Sequence, residues 1–110
     1  MNAELKPYID AIRNLCLKYH FSKLWLFGSA LTTRFGPDSD IDFLYELNHA
    51  NLSGADSIDY FFAFQDEAEK LLGHSVDLVW YPGLRNPYFK AEVDETKVLI
   101  YDQEREKISV

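Results

Sequence analysis

The chain has 110 residues, 47% apolar and 26% charged, which is the composition of one globular domain with its own core and not of a disordered chain, a collagen or a disulfide scaffold. Eleven Lys and Arg against eighteen Asp and Glu leave a formal charge of -7, which argues against clamping a long nucleic-acid backbone but not against a small anionic ligand held through a metal. The single cysteine, Cys16, forms no intramolecular disulfide and suits a reducing compartment. The segment MNAELKPYID lacks a basic start followed by an apolar run, and no apolar stretch approaches the ~20 residues that cross a bilayer. The expectation is a cytoplasmic protein with no membrane association.

Leu5, Tyr8, Ile9, Ile12, Leu15, Cys16 and Tyr19 recur at three- and four-residue steps, which predicts a helix over Ala3 to His20 with Pro7 in its first turn. Lys23 to Phe27 is a short apolar run and reads as a strand buried on both faces. A short helix is predicted from Ser29 to about Arg34, then a turn at Gly36-Pro37-Asp38-Ser39. Asp40 to Leu47 reads as a second strand and Asn48 to Gly54 as a loop. A long helix follows from about Asp56 to Leu72, with Gly73 as its C-terminal cap. Ser75 to Tyr81 reads as a third strand, broken by Pro82-Gly83. Asn86 and Pro87 suit the start of a short helix reaching about Asp94. Val98 to Tyr101 is a fourth strand, and Asp102 to Val110 reads as a charged, frayed tail. The fold class is α/β (α+β): one domain over residues 1–110, with a small mixed sheet and helices packed on it.

Three features carry chemistry. Asp40 and Asp42 sit two apart on a strand, so both carboxylates face one way, about 7 Å apart along the backbone. Like charges repel, and a bound divalent cation relieves that cost; Mg²⁺ favours carboxylate and phosphate oxygens together. Asp77 repeats the pattern, and it reaches the same site if the third strand lies beside the second. Gly28 lets a ligand approach the backbone, and Ser29 either caps the following helix or bonds a phosphate oxygen.

Leu26-Phe27-Gly28-Ser29, ten intervening residues and Asp40-Ile41-Asp42-Phe43-Leu44 resemble the signature of the DNA polymerase β-like nucleotidyltransferase superfamily. More narrowly, the chain resembles the minimal nucleotidyltransferases (MNT), the antitoxin partners of HEPN-domain toxins. Val76-Asp77-Leu78-Val79 is similar to the segment that carries the family's third carboxylate, and Asn86-Pro87-Tyr88 with Val98 to Tyr101 to its C-terminal part. The resemblance implies a nucleotidyltransferase fold and Mg²⁺-dependent transfer of AMP from ATP to a hydroxyl, with loss of pyrophosphate. It implies that Asp40, Asp42 and Asp77 are catalytic and hold two Mg²⁺ ions, that Asp77 also helps to deprotonate the acceptor, and that Gly28 and Ser29 bind the nucleotide. The implied acceptor is a tyrosine of a HEPN toxin in a type VII-like toxin–antitoxin pair, with a homodimer or a hetero-oligomer as the assembly. The chain departs from the family pattern after Gly-Ser. Where relatives often place an Arg and then a Gly, it has Ala30-Leu31-Thr32-Thr33-Arg34, and Arg34 is the only cation between Ser29 and Asp40.

Two other functions use the same residues: a small-molecule nucleotidyltransferase, and a non-catalytic module that neutralises a toxin by contact. Three intact acids favour an enzyme, and a chain of this length favours a protein acceptor, since it has no second domain to grip a small one. Phe61 and Phe64 read as core, whereas Tyr60 and Phe62 are candidates for a partner surface. Trp25 and Trp80 read as core and Cys16 as a small buried hydrophobe; His20, His49 and His74 show no metal spacing. Tyr81 and Arg85 follow the third strand, within reach of a base or ribose.

Overall fold

The apolar segment Phe21–Phe27 forms strand β1, and its two faces divide the molecule into two packing layers. The structure, a computed structural model, describes residues 5–48 and 53–108. The predicted helix start at Ala3, His49 and most of the predicted loop before Gly54 lie outside the described residues. Leu24 and Leu26 of β1 face a core shared with Ile12 and Cys16 of helix α1 (Ile9–Lys18), Ile41 and Phe43 of β2 (Ile41–Leu47), and Phe64, Ala68 and Leu72 of α2 (Gly54–Leu72). Trp25 and Phe27 face the other way, onto Leu44 of β2 and Val93 of α3 (Pro87–Thr96). Two helices therefore cover one face of the sheet and one covers the other, which is why β1 is apolar on both sides.

The sheet order is β3-β2-β1-β4, where β3 is Val76–Trp80 and β4 is Val98–Asp102. Strand β1 runs antiparallel to β2 and to β4, whereas β2 and β3, joined through α2, are parallel. This is the small mixed sheet with packed helices expected from the sequence. Phe64 anchors α2 by stacking on Phe21 with ring centroids 4.3 Å apart and meeting Phe43 edge-on. Helix ends are set by local chemistry. Ser53 accepts from the Asp56 amide at the start of α2, Gly73 adopts φ +70° at its end, and Asn86 accepts from the Tyr88 and Phe89 amides ahead of Pro87.

Four expectations change. Pro7 lies in a separate 3₁₀ turn, Lys6–Tyr8, ahead of α1. The helix predicted over Ser29 to Arg34 is only a 3₁₀ turn, Gly28–Leu31, because both the amide and the hydroxyl of Thr32 bond back to the Ser29 carbonyl and its backbone then runs extended. The charged segment after Asp102 begins with a short helix, α4 (Gln103–Ile108). Trp80 is 46% exposed and not core, because β3 is an edge strand and Trp80 is its last residue. Among the described residues, no helix is long and apolar enough to cross a membrane.

Of the consecutive aromatics on α2, Phe64 is fully buried while Phe62 is 60% exposed. Phe64→Ala is expected to lower the unfolding free energy by roughly 3–5 kcal/mol, and Phe62→Ala to change it by less than about 0.5 kcal/mol. Urea unfolding of both variants checks the pair.

Candidate functional site

In-register pairing of β2 with β3 sets Asp42 directly opposite Asp77. Neighbouring strands lie about 4.8 Å apart, so side chains on one face at the same register meet. The Asp77 carboxyl is thus the nearest acidic neighbour of Asp42 across the β2–β3 ladder, within hydrogen-bonding reach of it. Asp40 lies one residue before β2 and not within it, and its charge adds to the field at Asp42. Partial burial comes first, and the Asp77 hydrogen bond and the charges of Asp77 and Asp40 follow; together they push the Asp42 carboxyl up to about 6 from its ordinary 3.8.

Gly28 closes the site from β1. The last β1 residue, Phe27, pairs with Asp42 across the sheet, and the chain then turns at Gly28 with φ +78°. A Cβ there would sit 2.6 Å from Asp42 Oδ2. Both the positive φ and this approach require glycine. Ser29 is part of the turn and does not cap it: Phe27 holds the cap position without a side-chain bond, and Ser29 Oγ reaches the Asp40 carbonyl at 3.5 Å. The structure thus gathers Gly28, Ser29, Asp40, Asp42 and Asp77 at one end of the sheet.

Several residues that hold this end together carry no sequence signal for the role. His74 Nδ1 donates to the Ser39 carbonyl at 2.8 Å, with its ring against Phe35, and the Ile41 amide donates to the Ser75 carbonyl at 2.9 Å. These bonds join the segment before Asp40 to the turn before Asp77. Helix α2 fixes the start of β3: Glu69 accepts from the Val76 amide and Gln65 donates to the Val76 carbonyl. Only the two-strand pairing itself reveals these roles.

Next to Gly28 lies an open cleft of about 670 Å³. Gly28, Ser29, Leu31, Thr32 and Arg34 form one wall; Phe89, Glu92, Val93 and Thr96 of α3 form the other. The three acids lie outside its lining, so Gly28 is the shared boundary between the cleft and the carboxylates. Tyr81 and Arg85 take no part in it. The Tyr81 hydroxyl donates to Asp94, beneath Lys90 and Lys97, and Arg85 donates to the Pro82 carbonyl. Tyr81, Lys97 and Lys90 hold the Asp94 carboxyl well below the usual carboxylate range and tie α3 to the sheet.

The donor set suits a hard divalent cation. Among the described residues no three His, Cys, Asp or Glu side chains converge into a ready-made cage. Two carboxyl groups at matching register on adjacent strands, with a third within electrostatic reach, match an ion that takes its other ligands from water and phosphate.

The model of the family "Polymerase beta, Nucleotidyltransferase" matches residues 10–106, and the chain belongs to that family. Two Methanocaldococcus jannaschii proteins provisionally named protein adenylyltransferases are similar to it. One is 30% identical over 83 residues and the other 33% over 85, each match covering 76% of this chain and 80% of the relative. A solved structure provisionally described as a minimal nucleotidyltransferase superposes with a TM-score of 0.70 at 25% identity, over 89% of this chain and 95% of that one. A toxin–antitoxin crystal structure with AMP-PNP shares the fold at a TM-score of 0.65 and 17% identity, over 89% of this chain and 76% of that one.

A carboxyl group whose folded pKa is raised stabilises the fold fully below its unfolded pKa, and this contribution is lost as pH rises through the folded value. For Asp42 the loss falls between about pH 4 and about pH 6. Asp42→Asn is therefore expected to flatten the pH dependence in this window. Above pH 7, with divalent cations chelated, it should raise stability by about 1 kcal/mol once solvent screening is allowed for. Thermal unfolding at pH 4, 6 and 8 checks both the slope and the sign.

Proposed function

We propose that this nucleotidyltransferase moves AMP from ATP to a tyrosine hydroxyl of a HEPN-domain partner protein and acts as the antitoxin of the pair. The observation that carries this reading is the in-register pairing of Asp42 with Asp77 against the bare backbone of Gly28. A coupled carboxyl pair beside open backbone suits a substrate that brings both phosphate and cation. Membership of the nucleotidyltransferase family supports the reaction class, and the names of the archaeal relatives support a protein acceptor. The shared fold with a toxin–antitoxin complex containing AMP-PNP supports the nucleotide and the pairing with a toxin.

In this mechanism Asp40 and Asp42 would hold the Mg²⁺ that serves the phosphates and Asp77 would complete a second Mg²⁺ site on the acceptor side; bound there, the ions would supply charge neutralisation and alignment. Gly28 lets the α-phosphate lie against the backbone beside Asp42, and the Ser29 hydroxyl donates to a phosphate oxygen. The acceptor oxygen attacks the α-phosphorus, the bond from that phosphorus to the bridging oxygen breaks, and pyrophosphate leaves. The proton of the acceptor passes to the Asp77 carboxylate, which is exposed at the sheet edge where an incoming side chain reaches it. Positioning and charge compensation account for the rate, as in phosphoryl transfer generally.

Asp77→Asn separates binding from chemistry. With Asp42 and Gly28 intact, calorimetry should find affinity for MgATP within about threefold of wild type. The mass gain of one or more AMP groups on the HEPN partner should fall by a factor of at least about 100. Equal loss of both would assign Asp77 to holding the triphosphate, and an unmodified partner with the wild-type chain would overturn the proposed reaction.

A further inference from the structure

The cleft beside Gly28 contains a cation that the fold does not use. Lys18 pairs with Glu67, Lys70 with Asp66, and Lys90 and Lys97 with Asp94. Arg34 differs from these. Its backbone amide donates to Thr32 Oγ1, whereas its guanidinium has no hydrogen-bond or ion-pair partner among the described residues. It lines the cleft with Gly28, Ser29 and Thr32 in a chain of net charge -7, where acidic partners are plentiful. A guanidinium left open there is placed for an anion from outside the chain.

The loop geometry fixes where that anion lies. The Thr32 amide and hydroxyl both bond the Ser29 carbonyl, and Thr32 Oγ1 in turn accepts from the Arg34 amide. These bonds tie the backbone of Arg34 to the turn that begins at Gly28. Gly28 separates Asp42 from the cleft, so phosphates that start at Asp42 and cross Gly28 run along the wall that ends at Arg34. The opposite wall offers Phe89, Val93 and the carboxylate Glu92, which suit a nucleoside and repel a polyphosphate.

We infer that Arg34 is a specificity-determining residue that selects nucleoside triphosphates: its guanidinium holds the terminal phosphates of a nucleotide whose α-phosphate lies at Gly28 and Asp42. This assignment rests on the nucleotidyl-transfer reading above. It accounts for charge balance in a loop where no other cation lies between Ser29 and Asp40. A planar fork that reaches two phosphate oxygens distinguishes ATP from AMP, which ends before Arg34.

The test is calorimetric titration of the full chain with ATP and with AMP, each with Mg²⁺, for wild type, Arg34→Ala, Arg34→Lys and Arg85→Ala. Wild type should prefer ATP. Arg34→Ala should weaken ATP binding roughly 10- to 100-fold and leave AMP binding within about twofold, which collapses the preference. Arg34→Lys should recover part of it, because an ammonium restores charge without the fork. Arg85→Ala removes a cation that bonds the Pro82 carbonyl outside the cleft, and should behave as wild type. Unchanged unfolding curves for Arg34→Ala, an exposed residue, would show the fold intact. An ATP preference that survives Arg34→Ala would overturn the role of Arg34 while leaving the nucleotide site standing. Failure of the wild-type chain to bind ATP would overturn both.

Discussion

Two carboxyl groups held side by side on adjacent parallel strands set the terms for the rest of this molecule. Asp42 and Asp77 lie at matching register, so neither can move away from the other without a break in the β2–β3 ladder. Their mutual repulsion is relieved in one of two ways: the pair keeps a proton, or it takes a cation. Partial burial first, and Asp77 and Asp40 after it, raise the Asp42 pKa and so favour the first of these as pH falls. Gly28 follows from the same constraint, because a side chain there would collide with the Asp42 carboxylate.

The scaffold resists that repulsion from several directions. Helix α2 buries Phe64 against Phe21 and uses Glu69 and Gln65 to hold both polar groups of Val76, one residue before Asp77. His74 and Ile41 join the segments that lead into the two strands. On the other face, Val93, the Phe89 edge contact with Phe27 and the Tyr81–Asp94 bond fix α3 as the far wall of the cleft. Buried packing supplies the rigidity, and the charged groups sit on an open rim where water or a ligand can meet them. The division matches a general rule: reacting groups hold their geometry when they are mounted on rigid elements.

Much of this was legible in the sequence where the signal is local. The apolar run of β1, the caps Gly73 and Asn86, and the spacing of Asp40 and Asp42 are short-range patterns with direct physical causes. The link from Asp77 to this pair hung on the third strand lying beside the second, which the β2–β3 pairing supplies. What stayed hidden depends on partners distant in the chain. Trp80 reads as core in any single-sequence view, and only the strand order makes β3 an edge. Ser29 reads as a helix cap until the bonds from Thr32 to its carbonyl reduce the helix to one turn. The cleft joins Ser29 to Glu92 through the third dimension, so no spacing rule announces it. Tyr81 and Arg85 follow the third strand as expected, yet their bonds go to Asp94 and Pro82 and away from the site.

The most direct test of the central claim uses ATP labelled separately at the α- and γ-phosphates, incubated with Mg²⁺, the chain and the HEPN-domain partner proposed for it. Nucleotidyl transfer through the Asp42–Asp77 site predicts that the α-label becomes covalently attached to the partner and the γ-label leaves in pyrophosphate. Asp42→Asn should abolish the attachment. Attachment of the γ-label, or an α-label signal that persists undiminished in Asp42→Asn, would contradict the account.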